Sequence, residues 1–120
     1  MAKKIYIADD ETPIRLAVKA FLEKSGFLVY DFENGDDLLV EFEKVQSDLI
    51  ILDIMMPGSN GFVICKAIRE ESDVPIIMLS ARGSDLDSAT GLAMGSNYYF
   101  TKPFSPMSLT QKVKEILEEG

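Results

Sequence analysis

Four apolar runs in this chain each lead into a group able to do chemistry. KKIYIA (3–8) runs into Asp9-Asp10-Glu11, DLIILD (48–53) ends in Asp53, VPIIMLS (74–80) ends in Ser80, and NYYFT (97–101) runs into Lys102-Pro103. Asp53 stands out, because LIILDIMMPG (49–58) is apolar on both sides of a carboxylate that is costly to bury alone. Held together, Asp9, Asp10 and Asp53 would repel and raise at least one pKa unless a cation neutralised them. The chain has no histidine and one cysteine, Cys65, so a hard, oxygen-seeking cation is expected. Magnesium fits, since it takes one or two carboxylates, keeps several waters and welcomes a phosphate oxygen. Lys102 would add a positive charge, Ser80 a hydroxyl and nearby loops their N–H donors. Such a set can clamp a phosphoryl group in transfer. Asp53 is then the nucleophile, and the product an aspartyl phosphate.

These residues meet only if the intervening elements bring the strand ends to one edge. Helical periodicity predicts helices over 12–25 (stripe Ile14, Val18, Phe21, Leu22), around Leu38, Phe42 and Val45, over 60–71 (Ile64, Ile68), over 84–94, and over 106–118 (Leu109, Val113, Ile116, Leu117). They alternate with predicted strands at 3–8, 27–32, 48–53, 74–80 and 97–101. Gly26 is placed to close the first helix. The runs at 48–53 and 74–80 suit the centre of a parallel sheet covered on both faces. Five βα units imply an open, doubly wound α/β sheet. Ligands of such sheets bind beyond the carboxyl ends of the strands, where the candidate residues lie.

Composition narrows the alternatives. A length of 120 residues suits one domain spanning 1–120. No apolar run approaches the ~18–20 residues of a membrane span, and MAKKIYIADD reaches two aspartates too soon for a secretory signal. A lone cysteine excludes an internal disulfide framework, so Cys65 is read as a small packing residue and a cytoplasmic setting is expected. The net charge of −8 weighs against nucleic-acid binding by this domain, and the lack of histidine removes imidazole acid–base chemistry.

The set D-D-E (9–11), L-D-I-M-M-P-G (52–58), L-S-A-R (79–82) and T-K-P-F (101–104) resembles the receiver domain of two-component response regulators, over about Lys3 to Leu117. The resemblance implies a flavodoxin-like (βα)5 sandwich with strand order 2-1-3-4-5. It implies that Asp53 accepts a phosphoryl group from a sensor histidine kinase with Mg2+. Asp10 and Asp53 would bind the ion by carboxylate, Met55 by its backbone carbonyl and Asp9 through water. Ser80 and Lys102 would contact the phosphoryl oxygens, Tyr99 would be the switch aromatic, and the Lys102-Pro103 bond would be cis. The domain would catalyse only its own phosphoryl transfer and slow autodephosphorylation.

Within the family, GLAMGSNYYFTKPFSPMSL (91–109) is similar to the OmpR/PhoB type, which joins a receiver to a DNA-binding winged helix. On that resemblance the chain would be excised from, or N-terminal in, a longer transcription regulator; the alternative is a stand-alone receiver acting by protein contact. Ser88, Ser108 and Asn97-Tyr98 replace charged residues usual on the type's dimer face, so a weak, phosphorylation-dependent homodimer is expected. Two rivals fare worse. A flavin mononucleotide carrier needs a neutral first loop, where this chain has Asp-Asp-Glu. An aspartyl-phosphate phosphatase usually has a second aspartate where Met55 stands.

Overall fold

The structure, a computed structural model, describes residues 2–80, 90 and 94–119. Strands β1 (Lys4–Ala8), β2 (Leu28–Phe32), β3 (Leu49–Asp53), β4 (Ile76–Ser80) and β5 (Tyr98–Thr101) form one parallel sheet ordered β2-β1-β3-β4-β5. Helices α1 (Thr12–Lys24), α2 (Gly35–Lys44), α3 (Gly61–Arg69) and α4 (Pro106–Glu119) cover it. The doubly wound, flavodoxin-like sheet implied by the sequence is what forms. Most of the helix predicted over 84–94 lies outside the described residues.

Burial accounts for which strands lie inside. Every residue of β3 and β4 is buried, so these two strands must occupy the middle, with helices on both faces. On one face α1 and α4 set Val18, Leu22, Leu109 and Val113 against Ile5, Ile7, Ile51, Ile77 and Leu79. On the other, α2 and α3 set Leu38, Phe42, Ile64 and Ile68 against Tyr6, Ile50, Leu52 and Met78. Tyr6 is buried whole; its ring meets Tyr30, Phe32 and Phe42 edge-on, and its hydroxyl donates to the Val45 carbonyl at 2.6 Å. That bond satisfies the one polar atom the ring carries inside.

Two residues assigned to apolar stripes do not belong there. Phe21 is exposed and lines the groove between α1 and α4, while the buried stripe of α1 is Arg15, Val18 and Leu22. Val45 lies just past the end of α2 in extended backbone and is exposed. Gly26, with φ 98°, does close α1: its N–H donates to Glu23 O and the Phe27 N–H to Leu22 O, a Schellman pair. Asn34 and Asn60 cap α2 and α3 by accepting from the Asp37 and Val63 N–H groups. At the amino end of β5, the Asn97 side-chain carbonyl accepts from Arg69 Nη2 at 2.9 Å and the Ile76 N–H at 2.8 Å. Arg69 Nε also donates to Gly95 O, so α3, β4 and the start of β5 are tied together.

The start of α3 bears on the site. A Cβ on Gly61 would lie 2.6 Å from Asp53 O and 2.9 Å from Ile54 Cα, and backbone cannot step aside cheaply. Gly61→Ala is expected to lose about 1–3 kcal/mol by urea unfolding. Wild-type stability in that variant would show that α3 can move off β3.

Candidate functional site

Asp53 closes β3 with its side chain 3% exposed. Its Oδ1 accepts the Met55 N–H at 3.3 Å, and its Oδ2 accepts from Lys102 Nζ at 3.1 Å. Lys102 follows β5, itself buried, and its N–H donates to the Ser80 carbonyl, so the ends of β4 and β5 are joined beside the carboxylate. The Lys102-Pro103 bond is cis and the ammonium points inward, as the resemblance implied. Ser80 is buried at the end of β4. The carboxyl ends of β1, β3, β4 and β5 thus converge as sequence patterning required.

Asp9 is buried just beyond β1, and Asp10 beside it is exposed. Neither side chain caps α1, since the N-cap is Glu11, whose N–H donates to Asp9 Oδ1 at 2.9 Å. Asp9 Oδ2 lies 3.0 Å from Lys102 Nζ but makes no hydrogen bond, an orphaned oxygen inside the protein. Carboxylate oxygens of Asp9, Asp10 and Asp53 all lie within 4.8 Å of one another. An oxygen-only set with one unsatisfied buried acceptor suits a hard divalent cation. Met55 enters the site through its N–H, while its side chain is exposed. Tyr99 is half-buried against the core on the α2/α3 face.

Two participants were not assigned from sequence. Glu11 makes the shortest contact to Lys102, 2.6 Å from Oε1 to Nζ. Arg15, buried in α1, donates from Nε to Asp31 Oδ2 at 2.8 Å and from Nη1 to the Asp9 carbonyl at 2.9 Å. A charged residue at helical spacing with Val18 and Leu22 was the available signal for it. Burial acts to raise the Asp31 pKa, but its bonds to Arg15 and Lys19 prevail and hold it below the ordinary carboxylate range.

The electrostatics follow from crowding. Burial, and then the Asp9 charge, push the Asp53 pKa up to about 7, against the pull of Lys102. Burial alone would lower the Lys102 pKa, but the Glu11, Asp9 and Asp53 carboxylates around its ammonium hold it above its usual value. One ammonium therefore serves three carboxylates.

Comparison with known proteins agrees with this geometry. The family model for the response regulator receiver domain matches residues 5–114. The transcriptional regulatory protein ResD of Bacillus subtilis is 40% identical over 117 residues, covering 98% of this chain and 49% of ResD. The regulatory protein VanRc of Enterococcus gallinarum is 41% identical over 114 residues, covering 95% of this chain and 49% of VanRc. Among solved structures, DrrB, a Thermotoga maritima OmpR/PhoB homologue, superposes with a TM-score of 0.92 at 32% identity, covering 99% of this chain and 54% of that one. The BeF3-activated DrrB receiver domain gives 0.91 at 32% identity, over 98% of this chain and 99% of that one. This chain belongs to the response regulator receiver domains, and it spans about half the length of the curated relatives it matches.

The raised Asp53 pKa has a sign that stability can report. Its folded value of about 7 exceeds the unfolded value of ~3.9, so its contribution is full below the unfolded value and lost as pH rises through the folded one. In chelator-treated buffer, Asp53→Asn is expected to gain stability relative to wild type between pH 5 and pH 8. Parallel unfolding curves for the two proteins across that range would contradict it.

Proposed function

We propose that Asp53 is the phosphoacceptor of this receiver domain and that a sensor histidine kinase supplies the phosphoryl group from a phosphohistidine. The observation that carries this is the buried Asp53 carboxylate, with one oxygen on the Lys102 ammonium and the other on the Met55 N–H. An Asp53 oxygen attacks phosphorus; the O–P bond forms as the donor's N–P bond breaks, and the imidazole leaves with the electron pair of that bond. Lys102 moves from carboxylate to phosphoryl oxygen, and Ser80 donates its hydroxyl to another. Asp10 and Asp53, with Asp9 through water and the Met55 carbonyl, would hold Mg2+. When bound, that ion supplies positive charge to the phosphoryl oxygens during transfer. The reaction ends on the chain itself, so the domain is a switch with slow autodephosphorylation and no turnover of an external substrate.

Output follows from the same site. Ser80 drawn to the phosphoryl group opens space for Tyr99 to turn further inward, shifting a balance between two arrangements of the β5 face. In a longer chain that change would control a winged-helix DNA-binding domain, a reading supported by curated relatives twice as long as this chain. A small acyl phosphate with Mg2+ is expected to add one phosphoryl group by intact mass, and none to Asp53→Asn. Lys102→Ala should slow labelling by roughly 10²–10³-fold. Undiminished labelling of Asp53→Asn would overturn the assignment.

Self-association by that face should be weak. The exposed Asn97 has its side-chain oxygen occupied by Arg69 and the Ile76 N–H, and Lys112 lies over the Tyr98 ring, 4.7 Å from its centroid, while pairing with Glu115. Ser88, and Ala89 and Leu92, which the resemblance would make the small apolar patch of that face, lie outside the described residues. Exposed ion pairs contribute only ~0.2–1 kcal/mol each. Sedimentation is expected to show a mainly monomeric unphosphorylated domain and a weak phosphorylated dimer that changes little with salt. A tight dimer dissociating as salt rises would contradict this.

A further inference from the structure

We infer that Arg15 is a positioning residue for the divalent-cation site, acting through the peptide that joins Asp9 to Asp10; the inference rests on the reading of that site as a magnesium site. The Asp9 carbonyl that Arg15 Nη1 holds at 2.9 Å belongs to this peptide, so the bond orients the chain from which both carboxylates depart. The other end of the fork is anchored: Nε donates to Asp31 Oδ2 at 2.8 Å, and Nη2 lies 4.0 Å from Glu33 Oε1. Arg15 is only 6% exposed, and Lys19 Nζ braces Asp31 Oδ1 at 3.0 Å. The guanidinium therefore sits in a fixed frame made by α1 and the end of β2. A second bond, Asp9 N–H to Phe32 O at 3.1 Å, locks the same turn to the same strand. Only a planar, forked cation can bridge a carboxylate and a carbonyl in this way; a lysine ammonium is a point charge on a flexible stem.

Charge and geometry predict opposite outcomes, which makes the role testable. If Arg15 were merely a nearby positive charge, removing it would strengthen cation binding. If it positions the acid pair, removing it weakens binding although a repulsive charge has gone. Mg2+ affinity is measured by calorimetric titration of the folded, unphosphorylated protein, at a temperature where circular dichroism shows each variant native. Arg15→Gln and Arg15→Lys are expected to bind Mg2+ about 10–100-fold more weakly than wild type, the range for losing a residue that orients a metal ligand. Asp31→Asn, which keeps the guanidinium but loosens its anchor, should weaken binding less and in the same direction. If Arg15→Gln does not fold, Arg15→Lys carries the test, since it keeps the charge and loses only the fork; Asp31→Asn also removes an anion and is read beside it. Binding in a folded Arg15→Gln or in Arg15→Lys as tight as wild type, or tighter, overturns the inference. A wild-type protein that does not bind Mg2+ overturns the site reading instead, so the two failures are distinguishable.

Discussion

One ammonium group holds this end of the molecule together. Lys102 reaches from the end of β5 under the strand ends to contact Asp53, Asp9 and Glu11 at once. Without it the buried Asp9 and Asp53 carboxylates would face each other with no opposing charge between them. With it the edge is compact but still short of positive charge. The orphaned Asp9 oxygen and the raised Asp53 pKa are two expressions of that deficit. A site short of positive charge is ready for a cation, and a lysine already in place is ready for an anion.

The sheet order makes this convergence possible. β1 and β3 are neighbours, so Asp9 and Asp53 emerge side by side; β4 lies next, and β5 delivers Lys102 from beyond it. The fully buried β3 and β4 take inner places in that order, and the helices contribute mainly the two apolar layers. Core and site are therefore one construction, in which the apolar run that drives β3 inside also carries its terminal carboxylate inside.

Much of this could be read from residue types. The apolar runs located all five strands, and the polar residues that close them named Asp9, Asp10, Asp53, Ser80 and Lys102. What escaped was anything that depends on partners distant in sequence. Arg15 looks like a surface charge until Asp31 and the Asp9 carbonyl are seen to meet it, and Glu11 looks like a helix-start acid until Lys102 arrives from ninety-one residues away. Phe21 and Val45 failed for a related reason. Periodicity gives the direction of a stripe but not its width, nor the residue at which a helix stops.

The tie at the opposite end of β5 constrains how the strand can move. Asn97 is gripped by Arg69 from α3 and by the Ile76 N–H of β4, and its own N–H donates to Ile76 O at 2.8 Å. That end is pinned. The far end, at Thr101 and Lys102, is attached through contacts that include the charged cluster, whose partners can be exchanged. A displacement of Lys102 would therefore be taken up in β5 between Asn97 and Thr101, against its ladder to β4. Tyr99, paired with Met78 in that ladder, sits partway along the segment that such a displacement would strain.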